Sequence, residues 1–254
     1  MTGDAPLLKT DAVSVRFGGV RAVDSVSLEF HRGVVTGIIG PNGAGKSSFI
    51  DAVSGRILPT SGRVWFEGTD VTRWPLYRRA RAGLVRTFQT TSEFSGLTVF
   101  ENLIAAAVGP DGAGFARSLR GGRVVEQANH LAWDRSWEVL ERFEMAHTAN
   151  LLGAELSGGQ RRLLEIMRCL VRRPKLVLLD EPMVGIAQHL VAKLVEELRR
   201  VAAEGVGIVV IEHALEVIGA LTDRVVVMAA GGVLADDRYE NVVEDRRVQL
   251  AYLA

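Results

Sequence analysis

Gly40-Pro41-Asn42-Gly43-Ala44-Gly45-Lys46-Ser47 is a glycine-rich stretch with the spacing G-x-x-x-x-G-K-S. The apolar residues 34–39 before it are typical of a buried strand, and residues 48–53 after it are typical of the first turns of a helix. In this strand–loop–helix order, the spacing predicts a phosphate-binding loop. Glycines let backbone N–H groups point at phosphate oxygens, and the helix N-terminus adds partial positive charge. The sequence therefore predicts a nucleoside triphosphate site in an α/β fold.

The last two residues of this stretch carry side chains that suit a triphosphate. Lys46 can reach the β- and γ-phosphates, and the Ser47 hydroxyl can bind Mg²⁺. The backbone of the loop, through Ser48, is expected to surround the phosphates. The predicted nucleotide-binding positions of the loop are Gly40, Pro41, Asn42, Gly43, Ala44, Gly45, Lys46, Ser47 and Ser48.

A second motif lies at residues 156–160, which read LSGGQ and precede an amphipathic helical run. Ser157 is a suitable helix N-cap, and the two following glycines can present bare N–H groups to an anion. Further along, the four apolar residues 176–179 are followed by two carboxylates, Asp180 and Glu181. This pattern is expected for a buried parallel strand whose C-terminal end carries a site.

Together these motifs resemble those of the ATP-binding cassette (ABC) ATPases, and the resemblance covers the chain from about residue 7 to its end. LSGGQ is similar to the signature of that family, and residues 176–181 are similar to its Walker B strand. The resemblance implies an α/β P-loop ABC ATPase with a parallel-sheet core, an N-terminal antiparallel β subdomain and an inserted α-helical subdomain. It also implies ATP hydrolysis coupled to transmembrane transport, with ATP and Mg²⁺ as cofactors.

The resemblance assigns roles to three residues outside these motifs. Phe17 matches an aromatic residue that stacks on adenine, although a residue at the end of an alternating strand is otherwise ordinary core. Gln89 matches a glutamine that reaches Mg²⁺ and the attacking water, with a solvated loop residue as the alternative. His213 follows the apolar run 206–211 and matches the histidine that contacts the γ-phosphate.

The same resemblance implies a catalytic arrangement. Glu181 is the candidate general base for the attacking water, with His213 and Gln89 as the other catalytic residues; the alternative is that Glu181 merely solvates the strand end. The predicted Mg²⁺ ligands, direct or through water, are Ser47, Gln89 and Asp180. Since phosphoryl transfer needs little covalent chemistry from the protein, positioning and charge neutralisation are expected to lower the barrier.

In the family, the signature residues close over the ATP of a second cassette. The resemblance therefore implies a head-to-tail homo- or heterodimer, with each nucleotide capped by its partner's signature, here Ser157, Gly158, Gly159 and Gln160. Further implied partners are integral-membrane permease subunits and, indirectly, an extracytoplasmic solute-binding protein. The implied location is peripheral, on the cytoplasmic face of the inner membrane.

Several segments resemble the branched-chain amino-acid importer ATPases in particular, namely residues 17–23, 83–89, 94–102 and 247–254. An exporter ATPase for lipid or lipopolysaccharide stays open as an alternative, and a cassette acting on DNA or ribosomes is a further one. One departure is Ala187, at a position where many cassettes carry aspartate. It puts communication between the two sites of a dimer in doubt more than hydrolysis.

Composition limits the other possibilities. The chain has 254 residues, 48% of them hydrophobic, and its 30 basic and 30 acidic residues balance. No broad cationic surface is therefore expected, and no nucleic-acid partner is predicted. No run approaches ~18 apolar residues and the N-terminus lacks a signal-peptide pattern, so we expect the chain neither to span nor to cross a membrane. An arginine cluster is either a docking surface for lipid headgroups or a permease, or a solvated helix face: Arg73, Arg78, Arg79, Arg81 and Arg86.

The order of strand-like and helix-like segments predicts the domain organisation. Residues 1–89 and 161–254 are predicted to form the nucleotide-binding core with its antiparallel subdomain, and residues 90–160 the helical subdomain. A glycine-rich break at residues 109–122 is predicted to be a flexible loop. Trp133, Trp137, Leu140 and Phe143 lie at helical spacing and are predicted to form the core of the helical subdomain.

Overall fold

The computed structural model of the chain describes residues 5–87, 95–112 and 123–253, and its strands form two sheets. The strands are β1 Leu8–Phe17, β2 Val20–Val26, β3 Glu29–Phe30, β4 Val35–Ile39, β5 Ser61–Phe66, β6 Thr69–Asp70, β7 Leu84–Arg86, β8 Leu176–Asp180, β9 Gly207–Ile211, β10 Arg224–Ala229 and β11 Gly232–Asp237. The helices are α1 Lys46–Ser54, α2 Leu76–Ala82, α3 Val99–Gly112, α4 Arg123–Arg142, α5 Gly158–Leu170, α6 Gln188–Ala203, α7 Leu215–Leu221, α8 Tyr239–Glu244 and α9 Arg246–Leu253.

Contacts divide the described residues into two compact units. The first comes from Met1–Arg86, Lys175–Pro182 and Leu198–Ala254, and the second from Thr87–Pro174 and Met183–Glu197. Both sheets lie in the first unit, and α5 lies in the second. The sequence-based boundaries at residues 89 and 160 stay a prediction. Within the described ranges, no helix has the length and apolarity needed to cross a membrane.

The larger sheet has six strands in the order β11-β10-β4-β9-β8-β7. All neighbouring pairs are parallel except the terminal hairpin of β10 and β11. Every residue of β4, β8 and β9 is buried, as expected for strands of a parallel sheet that is covered on both faces. The predicted parallel α/β core is confirmed, and the register brings the carboxyl ends of β4, β8 and β9 to one edge.

The smaller sheet is antiparallel, with the order β2-β1-β5-β6 and β3 paired to β1. A tight turn at Gly18 and Gly19 joins β1 to β2, so that Phe17 lies opposite Val20. Helix α1 is buried between strands of the first unit, and its Phe49 and Ile50 belong to the main apolar cluster with Phe30. Burial of each such side chain contributes roughly 1.5–3 kcal/mol. The strand–loop–helix segment is thus anchored on both sides of the loop.

The second unit is helical, and two of its predicted features need correction. Leu140 and Phe143 are buried as predicted, but Trp133 is 53% exposed and stacks edge-on against Phe100, with ring centroids 4.5 Å apart. Helical spacing places Trp133 on the same face as the core residues, but it does not show that this end of the face reaches solvent. The backbone of α3 also continues through Gly112, so the predicted loop does not begin at residue 109; residues 113–122 lie outside the described part.

The arginine cluster separates into two environments. Arg73, Arg78 and Arg81 are exposed, whereas Arg79 and Arg86 are buried, so neither the docking surface nor the solvated face includes these two. The Arg79 guanidinium donates to four backbone carbonyls, and burial lowers its pKa to about 10, an effect that Asp70 partly offsets. Helical spacing could not predict this, because the carbonyls come from separate segments: Thr72, Trp74, Ala52 and Val53.

Candidate active site

The glycine-rich loop follows β4 and is held close to its neighbours by two glycines. A Cβ at Gly40 would lie 2.0 Å from the carbonyl oxygen of Met228, and one at Gly45 would lie 2.1 Å from that of Ala22. Both glycines also have positive φ, +147° at Gly40 and +97° at Gly45. A side chain at either position would displace the loop, so these two glycines fix the loop against β10 and β2.

Helix α1 begins directly after this loop with its N-terminus open. Gly45 is the N-cap in a left-handed conformation, and among the described residues no side chain caps the helix. The first N–H groups of a helix have no partner within the helix. Asn42, Gly43 and Ser47 are exposed beside them. An uncapped helix start with an exposed glycine-rich loop fits the phosphates of a nucleotide.

Lys46 supplies a buried positive charge at this loop. It is 6% exposed, and its Nζ donates to the carbonyl oxygens of Gly40 at 2.6 Å and Pro41 at 2.9 Å. Burial lowers the pKa of the Lys46 ammonium, and the negative charges of Glu181 and Asp180 partly offset this effect. The lysine is therefore near both carboxylates while its hydrogen bonds go to neutral carbonyls, which a phosphate oxygen can replace.

Glu181 and His213 lie together at the ends of two neighbouring strands. Glu181 follows β8 with a positive φ of 49°, unusual for a residue with a side chain, and its N–H donates to Ile211 at 2.9 Å. Its Oε1 is 3.1 Å from Nε2 of His213, which lies two residues after β9. Strained backbone of this kind is typical of functional positions. Both side chains remain accessible, as a base for water requires.

Asp180 is the buried carboxylate at the end of β8, and Arg86 contacts it. Nη2 of Arg86 donates to Oδ2 of Asp180 at 3.0 Å. One carboxylate together with the Ser47 hydroxyl is a small oxygen donor set. Mg²⁺ commonly uses such a set together with the phosphates of its nucleotide, so the residues present fit this ion.

The remaining residues predicted for this nucleotide site differ in how far they can be located. Phe17 ends β1 and is 54% exposed, so its ring is free of the core and can meet a base. Stacking of Phe17 on adenine stays a prediction. Gln89 lies outside the described residues.

The signature residues form a self-contained helix start in the second unit. Ser157 is the N-cap of α5, and its Oγ accepts from the Gln160 N–H at 3.3 Å. Oε1 of Gln160 accepts in turn from the Ser157 N–H at 3.0 Å, which completes a capping box. Gly159 faces the segment with the Ala187 departure: a Cβ there would lie 3.2 Å from the Gly185 carbonyl oxygen. The predicted N-cap is confirmed, whereas the contact of these residues with ATP stays a prediction.

Sequence reasoning missed two contacts at the site. Arg86 belongs to the predicted arginine cluster, although its place directly after the apolar residues Leu84 and Val85 is a signal for a buried strand. Tyr252, in α9, lies beside the backbone of Gly40; burial raises the pKa of its phenol, and the Gly40 backbone partly offsets the rise. Nothing in the local sequence around Tyr252 indicates a contact with a loop 212 positions away in the chain.

Comparison with known proteins identifies the family. The ABC transporter family model matches residues 23–184. The probable branched-chain amino acid transport ATP-binding protein LivG of Archaeoglobus fulgidus is 34% identical over 249 residues, which are 97% of this chain and 95% of that protein. The high-affinity branched-chain amino acid transport ATP-binding protein BraF of Pseudomonas aeruginosa is 32% identical over 255 residues, 98% of each.

A solved structure is similar over the same length. An ATP-binding cassette of an ABC transporter in its ADP conformation superposes with a TM-score of 0.85 at 33% identity, covering 99% of this chain and 100% of that one. The predicted fold class is confirmed by this likeness together with the sheets described above. The chain belongs to the ABC transporter family, as an ATP-binding subunit that hydrolyses ATP.

Proposed function

We propose that this chain energises the import of branched-chain amino acids, or of a related small solute, by hydrolysing ATP. The observation that supports this solute is the match over nearly the whole chain to two relatives, both named for branched-chain amino acid transport. The chemistry is supported by the first unit, where four residues lie at or after the ends of strands whose carboxyl ends share one edge: Lys46, Asp180, Glu181 and His213.

ATP binding rests on the glycine-rich loop and the open start of α1. The loop from Asn42 to Ser48 surrounds the phosphates, and Lys46 exchanges its two carbonyl partners for the β- and γ-phosphate oxygens. Phe17 stacks on the adenine. The ammonium of Lys46 then neutralises charge where it accumulates during phosphoryl transfer.

Hydrolysis rests on Glu181 and His213. A water oxygen attacks the γ-phosphorus while the bond from that phosphorus to the ADP oxygen breaks, and the Glu181 carboxylate accepts the proton of the water. His213, hydrogen-bonded to Glu181 at 3.1 Å, orients this carboxylate and reaches the γ-phosphate. The left-handed backbone at Glu181 fixes the direction from which its side chain approaches.

Mg²⁺ would be held by Ser47 and Asp180, directly or through water, with Gln89 as a third ligand. When bound, the ion neutralises negative charge on the β- and γ-phosphates. Asp180 is suited to this role because its carboxylate is buried, and Arg86 fixes its orientation.

The working assembly is a head-to-tail dimer of cassettes on membrane permease subunits, at the cytoplasmic face of the membrane. Ser157, Gly158, Gly159 and Gln160 of one cassette cap the ATP of the other. The segment 87–102 contacts a permease helix, and an extracytoplasmic solute-binding protein delivers the solute to the permease. The exposure of the signature motif supports this role, since Ser157 and Gly158 face solvent in the single chain.

Co-purification from the native membrane, followed by transport in vesicles, tests the proposal. The chain with its co-purified permease and solute-binding protein should drive ATP-dependent uptake of radiolabelled leucine, and Glu181→Gln in the same assembly should not. Uptake of a different solute would refute the amino-acid assignment. Net release of substrate from the compartment holding ATP would refute import.

A further inference from the structure

We propose that Arg86 is a positioning residue that joins the two elements carrying Ser47 and Asp180, two of the predicted Mg²⁺ ligands. The inference rests on the proposed function, because it concerns the metal in that site. Arg86 ends β7 and is 6% exposed, and its guanidinium contacts two carboxylates. Nη2 donates to Asp180 at 3.0 Å, while Nη1 donates to Asp51 and lies 3.4 Å from the Ser54 hydroxyl.

The two carboxylates belong to the two elements that present the metal ligands. Asp51 lies four residues after Ser47 in α1, so both side chains are on the same face of that helix. Asp180 is itself the last residue of β8. One guanidinium therefore ties the helix that begins beside Ser47 to the strand that ends in Asp180. Through these bonds Arg86 sets the relative position of the two ligands.

The geometry of this bridge requires an arginine. The guanidinium is planar, and its separate N–H groups can each meet a different carboxylate in a fixed arrangement. A lysine ammonium keeps the positive charge but lacks the planar arrangement of separate N–H groups. Without the guanidinium, Asp180 and Asp51 lose the donor that they share. The position of Asp180 relative to Ser47 is then no longer set by this bridge, which weakens their use as a pair of metal ligands.

The chain provides a matched control in Arg79. It is as deeply buried as Arg86, but its guanidinium bonds, among the described residues, go to backbone carbonyls at the end of α1 and in residues 72–74. Within the described part of the chain, the hydrogen bonds of Arg79 reach neither Asp51 nor Asp180. A change from arginine to lysine at position 79 disturbs the same unit to a similar degree without touching the metal ligands.

The test measures ATP binding to the full chain by calorimetry, with and without Mg²⁺. The parent, Arg86→Gln, Arg86→Lys and Arg79→Lys are compared. In both Arg86 variants the gain in ATP affinity from Mg²⁺ should shrink by ~10-fold or more, as for loss of an outer partner of a metal ligand. ATP affinity without Mg²⁺ should stay within about twofold of the parent. Arg79→Lys should keep the Mg²⁺ gain.

Each other outcome overturns the proposal. Equal losses with and without Mg²⁺ would make Arg86 merely structural, and an unchanged or larger Mg²⁺ gain would show that it does not support the metal. Full recovery in Arg86→Lys would reduce its role to charge alone.

If both Arg86 variants fail to fold, Asp51→Asn breaks the same bridge and must lower the Mg²⁺ gain. A parent that gains nothing from Mg²⁺ would contradict the proposed metal site itself, whereas a normal parent beside a normal Arg86→Gln contradicts only this inference.

Discussion

Helices α1 and α5 both begin with glycine-rich sequence predicted to bind phosphate, yet their first turns are built differently. At α1, Gly45 caps the helix without a side chain and in a left-handed conformation. At α5, Ser157 and Gln160 satisfy one another's backbone N–H groups in a complete capping box. Among the described residues, no side chain occupies the first N–H groups of α1, whereas the start of α5 has already used two N–H groups of its own.

This difference separates a preformed site from a conditional one. The loop before α1 is held against the core by Gly40 and Gly45, so its donors are oriented before any ligand arrives. At α5, an anion near Ser157 must share or replace the bond between the Ser157 hydroxyl and the Gln160 N–H. We therefore expect ATP to bind first and tightly at α1, with α5 joining only when a second cassette closes.

The largest expected effect breaks the preformed site. Lys46→Ala removes a buried cation and its charge-assisted bonds to phosphate, each worth about 1.5–3 kcal/mol. ATP affinity of the single chain, measured by calorimetry, should fall by at least ~10²-fold. Ser157→Ala in the same assay should leave this affinity unchanged. Equal losses in the two variants would show that the two helix starts do not differ as the structure indicates.

The second prediction brings the conditional site into play. Glu181→Gln keeps size and hydrogen-bonding reach but removes the base, so ATP hydrolysis should fall by ~10²-fold or more. Loss of one negative charge beside the γ-phosphate should also favour the closed, ATP-bound dimer, detected by size-exclusion chromatography with light scattering. Adding Ser157→Arg should abolish that dimer without reducing ATP binding to the monomer. Hydrolysis at the parent rate in Glu181→Gln would remove this residue from the mechanism.

The contrast also marks what sequence alone could predict. The glycine-rich loop, the buried strand β8 and the Ser157 cap follow from local spacing, because each depends on backbone conformation and on residues within a few positions. The sheet followed from the apolar runs, since strands buried on both faces lack alternation. Each of these features is determined by residues that lie within or next to it in the sequence.

The rest depended on contacts between distant segments. Arg86 meets Asp180 across 94 positions in the chain, and Arg79 meets carbonyls of α1 from a separate helix. Their local sequence is arginine-rich and resembles a solvated face. Trp133 shows the converse, since its helical spacing fits a core position and the fold leaves it half-exposed. Burial of a charge is decided by which partners the fold supplies, and the sequence pattern does not contain that information.

A third prediction tests binding at α1 away from the phosphates. Phe17→Ala removes the ring proposed to stack on adenine, and stacking of a base on an aromatic side chain is worth ~1–3 kcal/mol. ATP affinity should fall by about 5–10-fold, at the low end because Phe17 is exposed. Affinity for inorganic triphosphate should not change. Val20→Ala, opposite Phe17 in the hairpin, is the control for loss of exposed apolar surface; equal losses of ATP affinity in the two variants would contradict stacking.

The smallest effect separates the two uses of the Ser157 hydroxyl. Ser157→Ala removes an N-cap and should lower the free energy of unfolding by ~1 kcal/mol, whereas Ser157→Gly should lower it by only a few tenths, because glycine is tolerated at an N-cap. Thermal or urea unfolding measures this difference. Both variants lose the hydroxyl that we propose contacts the partner's ATP. In the Glu181→Gln background, they should therefore weaken the ATP-dependent dimer equally, despite their unequal stability. If dimerisation instead follows stability, with Ser157→Gly close to the parent, the hydroxyl serves α5 alone and the conditional site is built from backbone donors.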